Sequence, residues 1–468
     1  MENIKEIRLR KPAAASIWYI ASGGFARGIG ALTTPIFTRL LTPTEYGLYP
    51  LYNSWISVFS VFITLELTGS LIFRGFQKYE EQKDAFICAT LGLLSIIFII
   101  FCALYFAFYS TLGEITGLNL TTTFFMFAQI FATAVISLYT SRAKFEYKYR
   151  TVVALNITSA TFSPLLAIFF ILAINLKSEA RIYASAITAL LISMPLIINI
   201  IRKSKKLYSK EIWKFLLKRG IPLIPHYFAT SLILRASDIS IGRTHGTESL
   251  GKYSIAMSIG MLLTIVTSGL LSALGPWLIR RIKDGNIERI RDFLFLLTKA
   301  LAILSLLILS LAPEIFSLLA TEDFRSALPS VYPLEIAAIA SFISGAIMSG
   351  CAYYERGFFS SLPAIASALL SVILSFTILP KIDYRFASLF TLLSYLLMTL
   401  LTAIIFKKLS GEFPIRLKSS ASLMILTLGY AALLFIFNSV LISRIFLALP
   451  LIPLLILCAK NILCYIKE

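Results

Sequence analysis

Charge is scarce in this 468-residue chain: Asp, Glu, Lys and Arg together make up only 14% of it. Soluble domains carry about 25%, so a water-soluble globular fold is excluded, and with it the nucleic-acid binders that gather basic residues on a soluble face. Histidine is scarcer still, with two in the whole chain, which leaves little material for acid-base relays. There is no glycine-rich phosphate loop, no metal-spaced histidine pair and no Asp-x-Asp cluster to hold a divalent ion for a sugar nucleotide. No catalytic residue, metal or cofactor is therefore expected. The five cysteines, Cys88, Cys102, Cys351, Cys458 and Cys464, lie in or beside apolar runs without ligand spacing and read as reduced structural thiols. Long polar connections are missing too. A membrane glycosyltransferase or polymerase would need catalytic carboxylates beside a large outer loop, and none is present.

What fills the chain instead is hydrocarbon, with 58% hydrophobic residues and a mean hydropathy of +0.83. A bilayer core about 30 Å thick takes about 20 apolar residues per helix. About fourteen such stretches fit between short polar breaks: 14–38, 48–72, 86–109, 121–141, 152–174, 181–201, 220–242, 251–278, 293–312, 330–352, 361–379, 385–406, 420–438 and 443–460. Runs such as Leu91 to Phe108 and Leu423 to Phe437 are apolar on nearly every face, which fits helices and not the alternating strands of a barrel. Lys5, Arg8, Arg10 and Lys11 precede a first span too long for a signal core and broken by Gly23, Gly24, Arg27 and Gly28, so that span is expected to stay.

The net charge of +19 follows from topology. With the amino terminus inside, 31 of the 43 Lys and Arg fall in cytoplasmic segments and nine in outer loops, as the positive-inside rule requires. An even number of spans returns the carboxyl terminus to the cytoplasm. Eight basic residues crowd into 202–219, which reads as a cytoplasmic linker between an amino-terminal lobe, 1–201, and a carboxyl-terminal lobe, 220–406, followed by two further helices in 407–468. The halves echo one another: Arg39, Gly47 and Tyr49 recur as Arg243, Gly251 and Tyr253, each displaced by 204 residues. Two similar bundles in parallel order, with a cavity between them, are the expected arrangement.

The remaining three basic residues, Arg27, Arg235 and Lys299, lie in or close to spans. A charge at mid-membrane costs roughly 2.5–3.5 kcal/mol, so something must compensate for each. In the first span Gly23, Arg27, Gly30 and Thr34 share a face of close-approach glycines and a guanidinium. In the seventh, Ser231, Arg235, Asp238 and Gly242 repeat that spacing. Two forked guanidiniums suit a diphosphate. The structural alternative pairs Arg235 with Asp238, three residues on, and Arg27 with Glu66. Glu66 is off the polar stripe of the second span and so faces a neighbouring helix. Lys299 snorkels toward a cytoplasmic end, and Glu335 reads as a solvated cap at the outer end of the tenth span. Pro222 and Pro225 bend the seventh span just before His226.

The string Phe37-Thr38-Arg39-Leu40-Leu41-Thr42-Pro43-Thr44-Glu45-Tyr46-Gly47-Leu48-Tyr49 resembles the first outer turn of polysaccharide biosynthesis export proteins of the O-antigen flippase type. Gly220-Ile221-Pro222-Leu223-Ile224-Pro225-His226, followed by Asp238, Gly242, Gly251 and Tyr253, resembles their seventh and eighth helices. Where many members have Arg directly after the Asp, this chain has Ile239. The resemblance covers essentially the whole chain and implies the multidrug/oligosaccharidyl-lipid/polysaccharide exporter fold: an all-α membrane protein of two six-helix lobes around a central cavity, plus two carboxyl-terminal helices. It also implies translocation of an undecaprenyl-diphosphate-linked oligosaccharide, such as an O-antigen or lipopolysaccharide repeat unit, across the bacterial inner membrane by alternating access. Substrate contacts are then expected at Arg27, Arg235, Asp238, Glu66, His226 and Lys299, with proton or sodium coupling through Glu66 or Asp238 and other polysaccharide assembly proteins as partners. The related alternative, a cation-coupled multidrug exporter, would favour an acidic and aromatic cavity, whereas the balance here is basic.

Overall fold

The computed structural model describes residues 2–354, 357–437 and 440–467. Helices make up nearly all of it, and there is no strand among the described residues. In lipid this is the expected outcome, because only a helix satisfies its own peptide groups without water. Contacts divide the chain into two compact units, Met1–Ser231 and Leu232–Glu468.

The first unit comprises α1 (Glu2–Leu40), α2 (Pro43–Thr64), α3 (Ser70–Lys78), α4 (Lys83–Ala107), α5 (Tyr109–Thr116), α6 (Leu120–Phe145), α7 (Tyr149–Ala173), α8 (Ala180–Lys203), α9 (Lys210–Gly220) and the first part of α10 (Ile224–Thr244). The turn into α2 is written in its sequence. Thr42 caps the helix by accepting from the Glu45 amide at 3.3 Å, Glu45 accepts from the Thr42 amide at 2.8 Å, and Pro43 takes the first helical position. Arg181, at the start of α8, lies over three rings contributed by this motif, 4.7 Å from Phe37, 4.6 Å from Tyr46 and 4.1 Å from Tyr49. Its Nη1 is buried with no hydrogen-bond partner, so the rings carry that side of the charge. Deeper in, Gln129 on α6 accepts from Tyr52 at 2.7 Å and from Ser185 at 3.0 Å, tying α2, α6 and α8 together.

The second unit continues through the rest of α10, then α11 (Gly246–Gly260), α12 (Leu263–Lys283), α13 (Ile287–Ser310), α14 (Ala312–Leu319), α15 (Val331–Cys351), α16 (Gly357–Ile373), α17 (Ala387–Ser410), α18 (Leu417–Ile436), α19 (Leu441–Ala448) and α20 (Leu451–Lys467). α15 is its centre, packing on α17, α12, α11 and α13. The carboxyl-terminal helices dock on α13, where Arg444 is 3% exposed and donates to both Glu314 oxygens at 2.7 and 2.6 Å and to the Ser310 carbonyl at 2.7 Å.

The 204-residue displacement extends further than the outer turns. Lys177, Glu179 and Arg181 recur as Lys381, Asp383 and Arg385. The second copy is resolved differently: Arg385 pairs with its own Asp383 at 2.8 and 2.7 Å, and no aromatic cage forms around it among the described residues.

Among the described residues ten helices are long and apolar enough to cross a membrane, and an eleventh candidate is the pair α11 and the start of α12, bent by 49°. They coincide with eleven of the fourteen expected spans. The other three, 14–38, 48–72 and 220–242, have no qualifying helix among the described residues. Large apolar side chains point outward along the qualifying helices, with Ile99, Leu172, Leu426 and Phe446 each more than 60% exposed. In water such a surface would aggregate.

Four expectations need correction. The second span is not continuous, since α2 ends at Thr64 and α3 begins at Ser70. Leu65 and Glu66 both adopt left-handed backbone, with φ of 46° and 54°. The glycines of the first span do not serve close approach, because a Cβ added at Gly23, Gly24, Gly28 or Gly30 meets nothing within 4 Å. Glu335 is not a solvated cap: a 3-10 segment, Glu322–Ser330, extends the span before α15, so Glu335 falls in its interior at 0% exposure. Lys299 is exposed but stands midway along the 24-residue α13, not near its end.

Two outcomes are expected from thermal melts of detergent-solubilised protein. Glu314 lies outside the candidate spans, and the hydrogen-bonded Arg444 guanidinium holds its carboxyl below the usual carboxylate range. The stability this gives is full above the unfolded pKa of about 4.3 and is lost as pH falls through the depressed folded value. Glu314→Gln should therefore cost roughly 1–3 kcal/mol at pH 7, between exposed and buried pair values, and should flatten the decline in melting temperature below about pH 4.3. Arg181→Lys keeps the charge but loses the planar stack, and should cost roughly 1–2 kcal/mol; an unchanged melting temperature would mean the rings do not hold it.

Candidate functional site

The expected spans without a qualifying helix are those that carry most of the expected ligands. Arg27 belongs to α1, Glu66 to the break after α2, and His226, Arg235 and Asp238 to α10. In lipid a helix retains such residues only where something other than hydrocarbon faces them.

In the first unit, α1 packs on α7, and Asn156 of α7 donates to Ser22 at 3.2 Å. Arg27 is on the exposed part of α1, beside glycines that leave open space. Two helical turns further on, Thr34 returns its hydroxyl to the Gly30 carbonyl at 2.8 Å, satisfying that hydroxyl within the helix.

Glu66 occupies the break itself, half-buried. Two successive non-glycine residues in left-handed backbone cost roughly 1–2 kcal/mol each. Neighbouring structure holds them there: the Leu67 amide donates to the Thr64 carbonyl at 2.9 Å, and the Gly69 amide to the Glu66 carbonyl at 3.1 Å. Gly220, at the end of α9, approaches so closely that an added Cβ would lie 3.2 Å from the Leu65 carbonyl oxygen. Interrupted helices of this kind present both backbone carbonyls and a side chain to one place. Nothing in the sequence announces this break before Gly69.

Pro222 lies in a 3-10 turn, Ile221–Leu223, and Pro225 in the first turn of α10, where a missing amide does least harm. The expected bend is therefore a break between α9 and α10. His226 follows it, half-buried, with its ring edge-on to Tyr227 at 5.4 Å.

In the second unit, Arg235 Nη1 donates to Asp238 Oδ2 at 3.0 Å. The two are unequally placed, the Arg235 side chain being 31% exposed and that of Asp238 3%. The carboxylate is sealed and the guanidinium is reachable. One contact occupies one edge of the guanidinium, so the fork retains donors for a second acceptor. The opposite face of α10 is fixed to a π-turn, Leu374–Ile378, that follows α16. Ser237 and Ser375 share a hydroxyl contact at 3.0 Å, Ser240 donates to the Ser375 carbonyl, and Ser371 donates to the Ile233 carbonyl at 3.3 Å. These serines hold the rotation of α10 and hence the direction of Arg235. Sequence reasoning did not select them, because single serines on apolar helices are common. Among the described residues no three His, Cys, Asp or Glu side chains come together as a metal site.

Comparison with known proteins places this geometry. The family model for polysaccharide biosynthesis proteins matches residues 13–282. No curated protein matches the sequence. Among solved structures, an inward-facing multidrug resistance MATE family transporter of the MOP superfamily is similar with a TM-score of 0.65 at 13% identity, covering 82% of this chain and 96% of its own. The lipid II flippase MurJ, in an inward closed conformation, gives a TM-score of 0.63 at 14% identity, covering 97% of this chain and 100% of its own. A MOP superfamily transporter from Pyrococcus furiosus, described as having a binding pocket of reversed polarity, gives 0.59 at 13% identity, with 85% and 96% covered. At these identities the likeness establishes the fold of MOP superfamily transporters. Matched by its family model over more than half of its length, the chain is a member of the polysaccharide biosynthesis protein family.

Proposed function

We propose that this protein is a flippase that carries a polyprenyl-diphosphate-linked oligosaccharide from the cytoplasmic to the periplasmic leaflet of a bacterial inner membrane by alternating access. The observation that carries this reading, on a member of a polysaccharide biosynthesis family, is that the three expected spans without a qualifying apolar helix bear Arg27, Glu66, His226, Arg235 and Asp238. If α1, the α2 and α3 pair, and α10 also cross, the count reaches fourteen, as two six-helix lobes with two added helices and both termini cytoplasmic. Polar helices cross lipid stably when they line a route for something polar. Guanidiniums on two of them make that something anionic, and a diphosphate accepts their bidentate donors. Its prenyl tail can stay in lipid while the headgroup moves. An inside-negative potential assists outward transfer of an anion by about 2.3 kcal/mol per charge per 100 mV.

In cells lacking the native copy, Arg27→Gln and Arg235→Gln are each expected to lower surface glycan at least about tenfold, the loss of one charge-assisted contact, at unchanged protein abundance, with the lipid-linked precursor accumulating in the inner leaflet. Arg235→Gln also removes the ion pair to the buried Asp238, so its melting temperature should fall. The double change Arg235→Gln, Asp238→Asn should recover the melting temperature and leave flipping lost. Recovery of surface glycan by the double change would mean that the pair is structural and lies off the transport route.

A further inference from the structure

The 202–219 segment is not a bare linker. Residues 210–220 form α9, and both of its sides are organised. The stripe Ile212, Leu216 and Gly220 is buried, within an apolar core that includes residues of α3, α4 and α6. Trp213 donates its indole N–H to the Ala89 carbonyl of α4 at 2.8 Å, and the Leu207 carbonyl lies so close to Gly92 that no Cβ would fit there. α9 is thus fixed along one side.

The other side carries Lys210, Lys214 and Lys218, all exposed and each one turn apart. Like charges at that spacing repel one another along a helix. The nearby acid, Glu211, pairs with Lys78 at 3.6 Å and borders a second cleft with Lys214 and Lys218, on the side of the row away from Trp213. Beside the lysine row runs a groove of about 740 Å³ whose walls are Tyr208, Trp213, Leu217, Ile221 and Pro222. Tyr208 is 62% exposed and Ile221 53%, so the apolar floor is uncovered. The Tyr208 and Trp213 rings meet edge to face at 4.9 Å, which gives that wall a defined shape.

We infer that this groove is a binding site for an acidic phospholipid, its phosphate diester held by the Lys210, Lys214 and Lys218 row and the upper part of an acyl chain laid against Tyr208, Trp213 and Ile221. A row of cations beside an apolar trough is the complement of one kind of molecule, an amphiphile with an anionic head. An interfacial helix with Lys on one face and Trp and Leu beside it has this form, and the segment lies on the basic side that anionic lipids attract. The site uses neither Arg27 nor Arg235, so it stands whatever the transported molecule is.

The test is native mass spectrometry of the purified full-length protein with added dioleoyl phosphatidylglycerol or dioleoyl phosphatidylcholine. Wild type should retain phosphatidylglycerol in about tenfold preference, and Lys210→Gln, Lys214→Gln, Lys218→Gln together should abolish that preference, a modest share of what three juxtamembrane lysines can supply. Tyr208→Ala, which removes wall but no charge, should weaken retention of both lipids. Lys407→Gln, Lys408→Gln, an exposed basic pair in the second unit, should leave the preference intact. Millimolar inorganic phosphate should not displace the lipid. An undiminished preference in the triple variant, an equal loss in the Lys407 and Lys408 control, unchanged retention in Tyr208→Ala, or displacement by phosphate would each overturn the assignment.

Discussion

Hydrocarbon offers no hydrogen bonds, and everything in this fold follows from that. Each peptide group has to be satisfied within its own helix, and each polar side chain must find a partner in the chain or face something other than lipid. Small hydroxyls solve this locally: Thr90 returns to the Phe86 carbonyl at 2.7 Å, Thr188 to Ala184 at 2.7 Å and Ser394 to Phe390 at 2.8 Å. Such residues cost little and can be scattered. Full charges cannot, and each needs a partner or a face turned away from lipid.

The chain meets its charges in several different ways. Arg444 is matched by two carboxylate oxygens and a carbonyl, and the result is a joint that docks the carboxyl-terminal helices. Arg181 is matched by three aromatic rings, which join the turn between α1 and α2 to α8. Among the described residues Arg235 pairs with one acid, Asp238, and remains partly accessible. Glu335 is the exception: it is fully buried, and its polar neighbours among the described residues are the Ser305 hydroxyl and the Leu263 backbone, neither within ordinary hydrogen-bond reach.

Much of the fold was legible because lipid imposes a length and a polarity on each span. Eleven expected spans correspond to qualifying helices, and the two prolines before His226 mark a true break. The capping box at Thr42 and Glu45 was not among the expected features, although its Thr-x-x-Glu spacing encodes it. Other features depend on neighbours distant in sequence. The break at Leu65 and Glu66 is unmarked by glycine or proline and is braced by the close approach of Gly220. The glycine face of α1 looked like a packing surface because glycine permits close approach, yet α1 packs on α7 and leaves those glycines open. The candidate site was half legible: residue types and helices could be named, but the direction of Arg235 is held by Ser237, Ser240, Ser371 and Ser375 across a π-turn.

By itself the sequence determined that the protein is helical and membrane-embedded, which helices are apolar enough for lipid, and which carry charge, because these depend only on what each residue costs in hydrocarbon. The tertiary structure decided which charges are shared and which are left reachable. It paired Arg385 with Asp383 but set the corresponding Arg181 among rings, although both come from the same repeated motif. Partner choice depends on which atoms lie within a few ångströms, and no spacing along the chain encodes that.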